Sequence, residues 1–138
     1  MKEQLITFDT AVLAKEKGFD LDVCCFYDID GIHKNYHLTF RNYNGIKWSG
    51  AENHIDIGKK VNFYSAPSQS ILQRWIREKF HLHITIFSSS QESWMFKITK
   101  LHESLSQHDE NDKSYGEDFN SFEDALEQGL KNSLEKIS

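Results

Sequence analysis

The strongest constraint on the fold is the stretch 64–87, YSAPSQSILQRWIREKFHLHITIF, in which a helix pattern runs almost directly into a strand pattern. Five apolar residues recur at helical spacing and form one broad stripe: Ile71, Leu72, Trp75, Ile76 and Phe80. Pro67 suits the first helical position, because its missing N–H would have no partner inside the helix there. From Leu82 onwards, alternation of apolar and polar residues predicts a half-buried strand. A helix and a strand therefore lie side by side and begin the core.

Two further helices are indicated by their end signals. Thr7 is a candidate N-cap for a first helix that stops at Gly18. Ser121, followed three residues later by Asp124, resembles a capping box at the start of a closing helix. The apolar residues of that closing helix again recur at helical spacing: Phe122, Leu126, Leu130, Leu134 and Ile137.

The remaining pattern is that of antiparallel strands. The dipeptides Asp30-Gly31 and Asn44-Gly45 predict hairpin turns joining strands over 23–29, a run that ends at Tyr43, and a short strand near 46–48. Residues 49–60 read as a loop, and residues 82–101 predict a second hairpin with its turn in SSSQES. The expected class is α+β: an antiparallel sheet of about five strands, a three-stranded meander plus a hairpin, with three helices mainly on one face.

Length and composition predict one domain. The chain has 138 residues, which is enough for a single core, and 13% of them are aromatic. The polar stretch over 102–118 predicts a mobile loop within that domain.

Charge and cysteine content limit the classes of partner and compartment. The chain carries 16 basic and 21 acidic residues, for a net charge of -5, which makes nucleic acid an unlikely general partner. The two cysteines, Cys24 and Cys25, are adjacent, so they do not form a disulfide framework and indicate a reducing compartment. No apolar run approaches the length of a membrane span, and no signal peptide is evident. A cytoplasmic protein with no membrane partner is expected.

One pair of tetrapeptides suggests chemistry. His37-Leu-Thr-Phe and His83-Ile-Thr-Ile each place a His and a Thr, Thr39 and Thr85, on one side of a strand. The pair resembles the H-x-[ST]-hydrophobic motifs of two-histidine phosphoesterases, which implies acid and base roles for the histidines and phosphate binding by the hydroxyls. The competing and preferred interpretation is that these polar residues line the wet face of a sheet whose other face carries Leu38, Phe40, Ile84 and Ile86.

No cofactor or metal site is predicted. His81 and His83 lack a third ligand at a suitable spacing, and the two Asp-rich stretches that begin like calcium loops lack the later ligands. Nucleic-acid binding remains a lesser alternative, based on a basic patch: Arg74, Arg77, Lys79, Lys97 and Lys100.

Two groups of residues are candidates for contacts with a partner protein. Trp48 and Trp94 stand near predicted strand ends, where an aromatic ring is available as an anchor. The polar stretch before the closing helix carries a series of acids that could dock a basic partner: Asp109, Glu110, Asp112, Glu117 and Asp118. The preferred interpretations are structural: the two tryptophans belong to the core, and the acids belong to a solvated loop and to the start of the closing helix.

Three separated segments together resemble one group of proteins: TFDTAVLAKEKGF, APSQSILQRWIREKFHLHI and NSFEDALEQGLKNSLEKI. They are similar to a family of small uncharacterised proteins encoded by Bacteroidetes bacteria and by their phages and prophages. The resemblance implies no catalytic residue and no cofactor. We therefore expect a non-enzymatic accessory protein that acts by protein–protein contact or self-association.

Overall fold

A computed structural model describes residues 3–28, 31–34, 40–45, 63–90, 93–101 and 113–137. The elements follow in this order: α1 (Phe8–Glu16), β1 (Cys25–Asp28), β2 (Gly31–Lys34), a 3-10 helix (Tyr43–Gly45), β3 (Tyr64–Ser65), α2 (Gln69–Phe80), β4 (Leu82–Ser90), β5 (Ser93–Lys100), β6 (Lys113–Phe119) and α3 (Phe122–Lys136). The predicted α+β class is confirmed. None of these helices is long and apolar enough to cross a lipid bilayer.

The strands of the described residues form two antiparallel sheets rather than one. The first sheet has the order β2-β1-β3 and the second has the order β4-β5-β6. The predicted hairpins are present as antiparallel pairs of β1 with β2 and of β4 with β5. Gly31 pairs with Asp28 and so belongs to β2, and Ser88 to Ser90 of the predicted SSSQES turn belong to β4. The prediction of about five strands in one sheet was therefore only roughly right, because the described residues form six strands in two sheets.

The helix ends follow their local signals at three of the predicted positions. The Thr7 hydroxyl accepts a hydrogen bond from the Thr10 N–H, and the Ser121 hydroxyl accepts one from the Asp124 N–H. After α1, Gly18 adopts a positive φ of 90°, a conformation that glycine tolerates best. The predicted start of α2 at Pro67 was wrong, because Ser68 is the N-cap and the Pro67 carbonyl accepts a hydrogen bond from the Ile6 N–H.

β6 replaces the predicted polar loop over residues 113–118. The sequence KSYGEDF has little apolar alternation, but its backbone pairs with β5 from Thr99 opposite Lys113 to Trp94 opposite Phe119. Gly116 makes the pairing possible, because a Cβ there would lie 2.0 Å from the ring of Phe96. Asp118, which has a φ of 66°, lies in the β-bulge where β6 has one residue more than β5 between two paired positions. The residues 102–112 lie outside the described part of the chain.

The first sheet also departs from the predicted meander. Asn44 and Gly45 belong to a 3-10 helix, and β1 pairs on its second side with β3. Asn44 connects distant segments, since its side chain accepts a hydrogen bond from the Ser65 N–H at 2.8 Å and donates one to the Phe19 carbonyl at 3.0 Å. The predicted strand near 46–48 and the predicted loop over 49–60 lie outside the described residues.

One hydrophobic core joins the three helices and both sheets. α3 lies across all three strands of the second sheet, α2 packs against β4 and α3, and α1 packs against α3 and β3. The core includes buried residues from each helix and from β4 and β5: Ala11, Ala14, Leu72, Ile76, Ile84, Phe96, Ile98, Leu126, Leu130 and Leu134. Half-buried Phe26, Tyr27 and Tyr64 bring the first sheet into the same core.

Candidate functional site: two acidic clefts beside helix α2

The candidate phosphoesterase residues lie on the outer face of the second sheet. Ile84 pairs with Ile98 and Ile86 with Phe96 on the face that α3 covers, so His83 and Thr85 lie on the opposite face. His83 Nδ1 is buried and has no hydrogen-bond partner among the described residues. His37 and Thr39 lie outside the described residues. Only the second of the two H-x-T motifs is therefore described.

The candidate partner-binding residues are dispersed. Trp94 is half-buried on the covered face, where its ring packs edge to face with that of Phe122 at a centroid distance of 5.7 Å. Glu117 and Asp118 are exposed on β6, and Ser93 donates a hydrogen bond to Asp118. Trp48, Asp109, Glu110 and Asp112 lie outside the described residues.

Two of the five cations that suggested a basic patch, Arg74 and Lys79, make side-chain contacts within the protein. Arg74 donates to Glu78 at 2.9 Å, and this bond raises the pKa of the guanidinium. The Lys79 ammonium lies 5.2 Å from the centre of the Trp75 ring. Lys15, outside that patch, donates to the Phe63 carbonyl at 2.8 Å, and burial lowers the pKa of its amine. The described part of the chain therefore shows these cations in local structural contacts.

A carboxylate on α3 ties the three helices together. Glu127 accepts hydrogen bonds from the Thr7 N–H at 3.2 Å, from the Thr7 hydroxyl at 3.1 Å and from the buried Thr10 hydroxyl. Its second oxygen accepts from the side chain of the buried Gln69 at 3.1 Å. A negative charge at the N-terminus of α1 is also favoured by the helix dipole. Glu127 is thus a structural carboxylate, because both of its oxygens accept hydrogen bonds from residues of other segments.

The first surface cleft, here called the Phe40 cleft, is open and apolar. It has a volume of about 240 Å³ and is lined chiefly by Leu5, Val23, Cys24, Phe40, Pro67 and Ile71. Phe40 is 61% exposed and Ile71 is 40% exposed, which is unusual for large apolar side chains that share one concavity. Ile71 belongs to the stripe predicted to be core, so that part of the prediction was wrong.

The second cleft, here called the Phe122 cleft, adjoins the first. It has a volume of about 250 Å³, and its lining includes Gln69, Ser70, the exposed Phe122 and Leu126. Glu3 lines both clefts and accepts a hydrogen bond from the Ser70 hydroxyl. Ser70 and Ile71 are consecutive residues of α2, so the first turn of this helix separates the two clefts.

The described charged residues that line the two clefts are all acidic. Glu3 and Asp22 line the Phe40 cleft, and Glu3 and Glu123 line the Phe122 cleft. Among the described residues that line either cleft, none is Lys or Arg. Arg41, which follows Phe40, is exposed but does not line the clefts. A cationic group is therefore the complementary ligand.

The size of the clefts indicates the kind of ligand. Sites for small molecules and cofactors are commonly enclosed and have volumes of roughly 300 to 1,000 Å³. Each cleft here is smaller and open to solvent, so each suits one side chain of a larger partner. No group of three or more His, Cys, Asp or Glu in the described ranges could hold a metal ion.

Sequence reasoning missed this surface because no local motif marks it. One signal for an exposed apolar residue was the width of the apolar stripe on α2. Ile71 and Leu72 are consecutive, so they point in different directions around the helix and only one of them can point directly into the core. The prediction that Phe40 lies on the covered face of a sheet was wrong, because its side chain is 61% exposed. Its position beside Pro67 and Ile71 depends on segments far apart in the chain.

No protein-family model matches this chain, and neither a curated protein nor a solved structure is significantly similar to it. The resemblance to small Bacteroidetes and phage proteins therefore stays a prediction.

Proposed function

We propose that the protein is a non-enzymatic binding protein that docks a basic segment of another protein on the Phe40 and Phe122 clefts. The observation that carries this proposal is the pairing of exposed apolar side chains with an acidic lining, which contains no Lys or Arg among its described residues, in two adjoining clefts. A phage- or mobile-element-type accessory role in the cytoplasm agrees with this function and with a cysteine content of one adjacent pair, which suits a reducing compartment.

Apolar burial would provide affinity. Phe40 and Ile71 retain roughly half of their surface in water, so covering them would contribute about 1 to 2 kcal/mol each. Residues of this kind act as anchors when a partner excludes water around them. The partner should therefore supply an aliphatic or aromatic side chain to each cleft.

Charge would select the partner. Glu3, Asp22 and Glu123 would attract Lys or Arg residues that flank the apolar anchors. A second copy of this chain would bring a net charge of -5 towards an acidic surface, and like charges oppose such an encounter. The charges therefore favour a basic partner over self-association.

Selection from a displayed library of random linear peptides on the immobilised full chain tests the proposal. We expect enrichment of peptides in which Lys or Arg flanks a large apolar residue. Binding of a selected peptide should weaken as ionic strength rises, because salt screens exposed charges. Asp22→Lys should weaken binding and reduce its salt dependence, whereas the matched control Glu135→Lys, on the exposed end of α3, should leave both unchanged.

Three outcomes would contradict the proposal. The first is enrichment of acidic peptides, or of peptides without apolar anchors. The second is equal loss of binding in Asp22→Lys and Glu135→Lys. The third is a concentration-dependent dimer in light scattering that is abolished by Phe40→Ala, which would assign the clefts to self-association.

A further inference from the structure

The two cysteine sulfur atoms lie unusually close for consecutive residues. In a regular strand, successive side chains point to opposite faces. Cys24 instead occupies a bend between the bridge at Val23 and the first residue of β1, Cys25, and the two Sγ atoms are 3.5 Å apart. The bend at Cys24 therefore brings the two thiols close enough to bind the same atom.

We propose that Cys24 and Cys25 form a dithiol site for a soft, thiophilic centre, and that trivalent organoarsenicals are the ligand class it fits best. An atom bonded to both sulfurs at about 2.3 Å, the length of a metal–thiolate bond, would subtend an S–X–S angle of about 100° at the observed separation. This angle suits a pyramidal or tetrahedral centre. A linear two-coordinate ion would need the sulfurs about 4.6 Å apart at the same bond length.

A direct disulfide fits the position less well. Disulfides usually join residues whose Cα atoms are roughly 4.4 to 6.8 Å apart, whereas consecutive Cα atoms across a trans peptide are about 3.8 Å apart. The described residues contain no cis peptide bond. A bridging atom spans the sulfurs without drawing the two Cα atoms into a disulfide geometry.

The access to the two thiols and the number of protein ligands beside them also favour trivalent organoarsenicals. Cys24 is half-buried and lines the Phe40 cleft, and the sulfur of Cys25, which is 6% exposed, lies 3.5 Å from that of Cys24. A ligand would therefore meet Cys24 first and Cys25 through it. The described residues offer no third metal-binding side chain beside the pair, whereas structural zinc takes four protein ligands. An arsenic atom that carries one organic group needs only two sulfurs to complete its three bonds.

The binding step is a condensation without a change of oxidation state. An organoarsenic(III) oxide, R–As=O, reacts with the two thiols to form two As–S bonds. Both S–H protons leave with the oxygen as one molecule of water. The proposal uses only the thiols and the open cleft, so it stands or fails independently of peptide docking.

Phenylarsine oxide added to the reduced full chain tests the site. We expect one arsenic per chain by intact mass and loss of both titratable thiols, which are the only two cysteines. A small dithiol should reverse the adduct, and a monothiol at equal thiol concentration should not. Because the folded chain already holds the two sulfurs 3.5 Å apart, the ligand should bind it more tightly than the unfolded chain, and the unfolding temperature should rise.

Cys24→Ser and Cys25→Ser are the matched variants. Each should bind at least about 100-fold more weakly and become reversible by the monothiol, because the second, intramolecular bond is lost. Wild-type affinity in either variant would overturn the site. So would uptake only after unfolding in guanidinium, a fall in the unfolding temperature, or an adduct that bridges two chains.

Discussion

The side of helix α2 that packs in the core and the side that faces the Phe40 cleft differ in the burial of their apolar residues, although both belong to the same helical turns. Leu72 is 0% exposed in the core, whereas the preceding residue, Ile71, is 40% exposed in the Phe40 cleft. On the packed side, α3 and the second sheet fill the space around Leu72 and Ile76. One helix therefore both stabilises the fold and presents an uncovered apolar residue.

The polar groups of the two regions show the same contrast. Glu127, among the helices, accepts hydrogen bonds from Thr7, Thr10 and Gln69. At the clefts, by comparison, Asp22 and Glu123 are exposed to solvent. Substitutions on the packed side should thus change the free energy of unfolding, and substitutions at the clefts should change binding.

The largest effect is expected for Phe96→Ala in the core. Phe96 is 1% exposed, and its ring passes over Gly116 and packs near Phe119. The free energy of unfolding should fall by about 3 to 5 kcal/mol in urea titrations, because truncation leaves a cavity. Phe40→Ala, the same change at the cleft, should cost less than about 1 kcal/mol. Similar losses in both variants would show that Phe40 is part of the core.

The next largest effect is expected for Glu127→Ala. Its removal would leave the buried Thr10 hydroxyl and Gln69 amide without their carboxylate acceptor, at a cost of about 2 to 3 kcal/mol. A double-mutant cycle with Thr10→Val should give a coupling of about 1 kcal/mol or more. Glu135→Ala, an exposed glutamate on the same helix, is the control and should change stability by less than about 0.5 kcal/mol. Additive effects of Glu127→Ala and Thr10→Val would contradict the role assigned to Glu127.

A smaller, pH-dependent effect is expected at Tyr27. Its hydroxyl donates to the Ile6 carbonyl at 2.7 Å, and burial, then the nearby Glu127 carboxylate, then Cys25, raise the pKa of the phenol. Tyr27→Phe should cost about 1 kcal/mol near neutral pH, where the hydrogen bond is intact.

The sign of the pH dependence follows from the raised pKa. The neutral phenol is favoured in the folded state, so its contribution is fully present below about pH 10, the unfolded pKa, and is lost as pH rises through the folded value. The stability difference between the wild type and Tyr27→Phe should therefore shrink above about pH 10. Urea midpoints measured on both sides of that pH will show it, and a difference that grows would refute the assignment.

Local signals predicted the helices because caps act within one turn. Thr7, Gly18 and Ser121 perform the roles that their types favour, and the predicted strand after Phe80 forms. Pro67 was misread as the first residue of α2, since its carbonyl is engaged by Ile6, a residue far away in sequence.

The remaining features depend on non-local contacts that a sequence window does not contain. β6 is a strand because β5 supplies its partners and Gly116 makes room for Phe96, although KSYGEDF reads as a loop. The Phe40 cleft arises where residues near 5, 23, 40 and 67 meet. The approach of the two cysteine sulfurs requires a bend at Cys24, which strand periodicity does not predict.

The most direct test of the division between the two faces of α2 is a pair of measurements on Ile71→Ala. Urea unfolding should show no loss of stability beyond about 1 kcal/mol, because the side chain is half exposed and Ala has the higher helix propensity. The affinity for a selected basic peptide should fall by about tenfold, equivalent to about 1.4 kcal/mol. Unchanged affinity together with a stability loss of about 2 kcal/mol or more, as expected for a buried residue, would contradict the assignment of this face to binding.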